Sequence, residues 1–140
     1  MNSQAEHLLI HTDGAARGNP GPAGAAAVLY DGSGACVAEV FQYLGEATNN
    51  VAEYRGLLLG LKRAKEIGAG TVEIVTDSEL LAKQWNGEYR VKNKTLRPLF
   101  DEAKEIAGAF ESVEVRHVRR GGNAAADEAA NRAIDEQAGV

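Results

Sequence analysis

With 140 residues, 44% of them apolar and 25% charged, the chain has the size and balance of one folded domain, which argues against a disordered, collagenous or membrane-spanning protein. Its 15 Lys and Arg against 20 Asp and Glu leave a net charge of -5, so any nucleic acid must be held by a local patch or through metal ions. A single cysteine, Cys36, and the lack of any Cys/His cluster with zinc-site spacing exclude a disulfide scaffold and a zinc module.

The segment Met1 to His7 has neither a basic nor an apolar region of the kind a secretory leader needs, and no stretch nears the run of about 18 apolar residues of a membrane span. A cytoplasmic location is the default expectation. Leu8 to Thr12 is a short apolar run closed by Asp13-Gly14, and Gly18-Asn19-Pro20-Gly21-Pro22 marks a rigid turn. Ala23 to Tyr30 and Cys36 to Tyr43 flank Asp31-Gly32-Ser33-Gly34 as a hairpin. The period then changes: Val51, Tyr54, Leu57, Leu58, Leu61, Ala64 and Ile67 recur at helical spacing after a cap at Asn49 or Asn50, and Gly68-Ala69-Gly70 stops the helix. Thr71 to Thr76 alternates as a strand, and Asp77-Ser78 opens a short helix to about Trp85. Asn86 to Lys94 reads as a loop, Leu96 to Phe110 as a helix with Pro98 in its first turn, Ser112 to Val118 as a strand, and Ala124 to Gln137 as a last helix after Gly121-Gly122-Asn123. The order βββ-α-β-α-α-β-α, without repeat or composition shift, predicts one α/β domain over residues 1–140: a mixed sheet, its first three strands antiparallel, with helices on its faces.

Four acids fall at the ends of elements: Asp13 after the first strand, Glu53 in the first turn of the long helix, Asp77 after the fourth strand and Asp127 in the first turn of the last helix. If strands one and four are neighbours, Asp13 and Asp77 sit side by side. A lone Asp after a strand is ordinarily a turn residue or cap; four at one sheet edge outline a site for a hard cation. Oxygen-only ligation suits Mg²⁺ or Mn²⁺, and a pair of such ions can hold a phosphodiester between them.

The blocks Thr12-Asp13-Gly14 with Gly18-Asn19-Pro20-Gly21-Pro22, Thr48-Asn49-Asn50 with Glu53, Thr76-Asp77-Ser78, and Asn123 with Ala126-Asp127 together resemble the type 1 ribonuclease H family, in the form that lacks a basic protrusion, over about Leu8 to Ala138. The resemblance implies a ribonuclease H-like fold with a five-stranded mixed sheet. It implies metal-binding catalytic roles for Asp13, Glu53, Asp77 and Asp127, two Mg²⁺ or Mn²⁺ ions, and hydrolysis of the RNA strand of an RNA/DNA hybrid to 3′-hydroxyl and 5′-phosphate ends. Asn19, Asn49 and Asn50 match minor-groove contacts, Asn49 and Asn50 being equally suited to helix capping, and Thr48 matches a DNA-phosphate contact.

Many members carry a loop histidine before the last helix; here the loop is Arg119-Arg120-Gly121-Gly122. His117 precedes Asp127 by the right count, but alternation with Val113 and Val115 places it inside the strand. Arg119 or Arg120 is the better candidate to approach the scissile phosphate, as a cation that cannot act as a general base; the alternative is a solvated loop end. Arg90, Lys92, Lys94 and Arg97 form a local positive run, either a weak hybrid grip or a charged surface loop. Glu79 stands where many relatives have glutamine, and His7, His11, Cys36 and Trp85 read as sheet or packing residues. Rival readings are a catalytically silent hybrid or duplex-RNA binding module, a nuclease of this fold acting on double-stranded RNA, and a nuclease domain fused to another enzyme. The single-domain size fits a monomer.

Overall fold

Among the described residues nine elements follow in the expected order: β1 (His7–Ala16), β2 (Gly21–Tyr30), β3 (Cys36–Ala47), α1 (Asn49–Ile67), β4 (Thr71–Thr76), α2 (Glu79–Trp85), α3 (Leu96–Ala107), β5 (Ser112–His117) and α4 (Ala124–Glu136). The structure, a computed structural model, describes residues 6–139; residues 1–5, most of the segment read for a leader, and residue 140 lie outside the described residues. No helix among the described residues is long and apolar enough to cross a membrane.

The strands form one five-stranded sheet in the order β3-β2-β1-β4-β5. β1 is antiparallel to β2, and β2 to β3, whereas β4 runs parallel to β1 and to β5. Leu8, Ile10, Ala27, Leu29, Val72 and Ile74 share one apolar cluster with Leu57, Leu58 and Leu61 of α1 and with Leu81, Trp85, Leu96 and Leu99. Ala26 and Phe41 instead pack with Ala129, Ala130 and Ala133 of α4. Ala26 and Ala27 are neighbours in β2 yet belong to different clusters, as the two-residue period of a strand requires, so the helices lie on opposite faces of the sheet.

β1 is longer than its sequence suggests. Asp13-Gly14 reads as a turn, but β2 pairs with β1 from Leu9↔Tyr30 through to Ala16↔Ala23, carrying the strand across Asp13. The parallel ladder with β4 ends earlier, at His11↔Val75. Extending that register by two residues sets Asp13 level with Asp77, where β1 and β4 part. Two further boundaries move. The cap of α1 is Thr48, whose hydroxyl accepts from Val51 N, not Asn49 or Asn50. α3 stops at Ala107, and Phe110 is buried from the turn beyond it. Cys36, read as a packing residue, is exposed at the start of β3, whereas Trp85 is buried.

Candidate active site

Asp13, Glu53 and Asp77 each present a carboxylate oxygen within 4.8 Å of one another. Asp13 is 3% exposed. Glu53 reaches it because α1 lies almost on the backbone of β1. A Cβ on Gly56 would come within 2.6 Å of the Asp13 carbonyl oxygen, and one on Gly14 within 2.3 Å of Glu53 N, distances that only glycine allows. The Gly14 N–H donates to Asp13 Oδ1 at 2.9 Å and to Glu53 Oε1 at 2.8 Å, tying the two acids to one donor.

One N–H is far too little to offset three carboxylates. Burial pushes the Asp13 carboxyl up to about 8, helped by the Asp77 charge and a side-chain hydrogen bond with Asp127, with the Gly14 N–H pulling the other way. Burial likewise raises Glu53 to about 10, with the charges of Asp13 and Asp77 adding to it. Carboxyls this close titrate as a unit and hold a proton at neutral pH unless a cation takes its place. An all-oxygen set of this kind fits a hard metal ion.

Asp127 joins this group from the rim, through its side-chain hydrogen bond with Asp13. It lines the same cleft of about 440 Å³ as the other three acids, but it is exposed and lies outside the 4.8 Å group. Of the residues the sequence picked for substrate, Asn49 and Arg120 line this cleft. Asn19, Thr48 and Asn50 line a neighbouring hollow with Asn93, Thr95 and Leu96 from the α2–α3 connection. Arg119 lines neither hollow and is exposed, as is His117, the last residue of β5. The two hollows are joined by the β1–β2 turn: Asn49 N donates to Asn19 Oδ1 at 3.1 Å and Ala16 N to Asn49 Oδ1 at 3.0 Å.

The start of α4 is fixed from β1. Asn123, its cap residue, is 2% exposed and makes no capping bond. Its amide instead donates to the Thr12 carbonyl at 2.6 Å and lies 2.9 Å from His11 Nδ1 through Oδ1. His11, read as a bystander on the sheet, thus helps dock the helix that bears Asp127. Sequence reasoning also missed Arg17 and Asn131, which line the acidic cleft. Asn131 is one helical turn beyond Asp127, a spacing that puts both on one face; nothing local marks Arg17, which reaches the site only through the fold of its turn.

A mixed sheet in this order, with carboxylates gathered where its central strands part, is the ribonuclease H-like class of α/β fold. A family model described as reverse transcriptase-like matches residues 11–133. A bifunctional protein of Mycobacterium tuberculosis is 42% identical over 94% of this chain, which spans 36% of that relative's length; its N-terminal RNase H domain, solved as a fusion with maltose binding protein, superposes with a TM-score of 0.91 at 41% identity, covering 94% of this chain and 95% of that one. A ribonuclease H of Pseudomonas savastanoi pv. phaseolicola is 34% identical over 97% of this chain and 98% of its own. The solved complex of LC11-RNase H1 with an RNA/DNA hybrid superposes with a TM-score of 0.88 at 41% identity, covering 93% of this chain and 98% of that one. The chain belongs to the ribonuclease H family.

Proposed function

We propose that this chain hydrolyses the RNA strand of RNA/DNA hybrids, with Asp13, Glu53, Asp77 and Asp127 holding two Mg²⁺ or Mn²⁺ ions, and leaves 3′-hydroxyl and 5′-phosphate ends. The observation that carries this is the convergence of three carboxylate oxygens within 4.8 Å in a cleft that Asp127 also lines. Likeness to an RNase H1 solved with such a hybrid supports the substrate.

Bound to these oxygens, the ions would lower the pKa of the attacking water and stabilise the leaving oxygen. Asp13 and Asp77, level at the parting of β1 and β4, would be the most direct ligands. With the ions bound, Glu53 would brace the leaving-group side and Asp127 the water side, as the family resemblance implies. The Gly14 N–H keeps Asp13 and Glu53 oriented. No histidine lines the cleft among the described residues, so Arg120 faces the substrate as a fixed cation and takes no part as a base. Thr48, Asn19 and Asn50 in the neighbouring hollow, with Asn49 at the junction, follow the hybrid away from the cut. Amides suit this task, since their amino groups can donate to 2′-hydroxyls and to base edges.

The test is cleavage of an RNA-labelled hybrid in Mg²⁺ or Mn²⁺, beside all-DNA and all-RNA duplexes, EDTA and Asp13→Asn. Metal-dependent cutting of the hybrid RNA alone, lost in the variant, is expected. Binding of the hybrid without cutting would identify a silent module, and cutting of the all-RNA duplex would widen the substrate.

A further inference from the structure

We propose that Asn131 and Arg17 are positioning residues for Asp127, so that the β1–β2 turn sets the outer half of the acidic cleft. This rests on the reading that the acids hold divalent cations. Asp127 lacks the backbone support its companions have: Asp13 and Glu53 share the Gly14 N–H, whereas Asp127 is exposed at the rim of the cleft and, beside its contact with Asp13, takes a side-chain donor from Asn131.

The help comes along a chain of side chains. Asn131 Nδ2 donates to Asp127 Oδ1 at 3.3 Å and to the Asp127 carbonyl at 3.0 Å. Asn131 Oδ1 in turn accepts from Arg17 Nη2 at 3.3 Å, and Arg17 Nη1 donates to Asp135 Oδ1 at 2.6 Å. The guanidinium has no acceptor, so the Asn131 amide must turn its oxygen to Arg17 and its nitrogen to Asp127. Its orientation is therefore set by Arg17, and Arg17 is held by a carboxylate one further turn along α4. A partner of this kind, bonded to a metal-binding carboxylate, ordinarily contributes tenfold or more to metal affinity.

The same turn is moored to α1 at its other end by the Asn19 and Asn49 bonds. It thus spans the cleft from the helix that carries Glu53 to the helix that carries Asp127.

The experiment is Mn²⁺ titration of the full chain without substrate, followed by the paramagnetic resonance of free Mn²⁺, for wild type, Asn131→Ala, Arg17→Ala and the double variant. Hybrid cleavage is measured alongside against Mn²⁺ concentration. Both side chains reach solvent, so the variants keep the wild-type denaturation midpoint. Asn131→Ala is expected to weaken one Mn²⁺ site by about tenfold and leave the other unchanged. Arg17→Ala is expected to weaken the same site by a few-fold, and the double variant to be no worse than Asn131→Ala, since the residues act in series. Excess Mn²⁺ restores turnover while KM for the hybrid stays put. An Mn²⁺ isotherm for Asn131→Ala that matches wild type, or additive losses in the double variant, overturns the arm. An unaltered isotherm with a raised KM in Arg17→Ala makes that residue a phosphate ligand and overturns its positioning role. A wild-type chain that binds no Mn²⁺ overturns the arm and the reading of the cleft together.

Discussion

Asp13 is a buried acid in a chain already rich in acids, and its environment favours the protonated form. Between about pH 4, where carboxyls of the unfolded chain ionise, and about pH 8, where Asp13 follows, the folded state holds more protons than the unfolded one. Stability in EDTA therefore falls as pH rises through that window. Thermal midpoints at pH 5 and pH 8 check this: a clear drop is expected in EDTA and a smaller one in Mn²⁺, and a flat profile in EDTA would mean that the carboxyls do not crowd. Asp13→Asn keeps an acceptor for the Gly14 N–H and removes one charge. It is expected to abolish hybrid cleavage while raising metal-free stability at pH 8 by on the order of a few kcal/mol. Chemical denaturation in EDTA decides it, and an unchanged or lower midpoint in the variant would count against the mutual repulsion.

The approach of α1 to β1 is what turns two separate acids into one site. Gly56→Ala puts a Cβ 2.6 Å from the Asp13 carbonyl and 3.2 Å from that of Ala26. Backbone on both sides leaves no flexible atom to yield, so a loss of roughly 1–3 kcal/mol is expected, with Glu53 pushed away and cleavage impaired well beyond the loss of folded protein. Urea denaturation and the specific activity of the folded fraction separate the two effects. Thr48→Ala, at the start of the same helix, should cost about 1 kcal/mol for the missing cap. The periodicity of α1 is plain in the sequence, but its first residue is not. Thr48, Asn49 and Asn50 can all cap, and only the bond from Ala16 to the Asn49 side chain shows that Asn49 is otherwise engaged. In the same way Phe110 has the spacing to extend α3, yet it fills the core from a turn, because burial rewards position and is indifferent to how the chain arrives there. At Asp13-Gly14, local turn preference gives way to the long ladder with β2.

At the scale of the whole molecule, a net charge of -5 coexists with a connection between α2 and α3 on which Arg90, Lys92 and Lys94 are exposed and, among the described residues, make no ion pair, while Arg97 is held by Asp101 at 3.0 Å. Asn93 and Thr95 of this connection line the hollow with Asn19 and Thr48, and Arg90 and Lys92 line a separate hollow with Arg97 and Phe100. Replacing Arg90, Lys92 and Lys94 with Ala should weaken hybrid binding, and the salt dependence of log K should flatten by roughly one unit for each phosphate left without its cation, with turnover at saturating hybrid retained. An unchanged slope would leave these residues as ordinary surface charge. Asp13, Asp77 and Asp127 can be read from the sequence because they sit at strand ends or in a first helical turn, where spacing carries information; Glu53, expected in the first turn of the long helix, lies just beyond the first turn of α1 because the helix starts at Asn49. The residues that hold them are less legible: Arg17, His11 and Asn123 act through bonds that join positions more than a hundred residues apart, and Asn131, though one turn from Asp127, is oriented by Arg17 from across the fold.

The bonds that moor the β1–β2 turn also decide what its amides can say to a ligand. Asn19 and Asn49 each spend their carbonyl oxygen on a backbone N–H, which leaves both amino groups as pure donors. The floor of a minor groove offers acceptors at every base pair, in purine N3 and pyrimidine O2, whichever bases are present. A reader restricted to donation feels the groove's shape and spacing but is blind to its letters. If the chain cleaves hybrids as proposed, such wiring favours cutting at many positions, indifferent to base sequence.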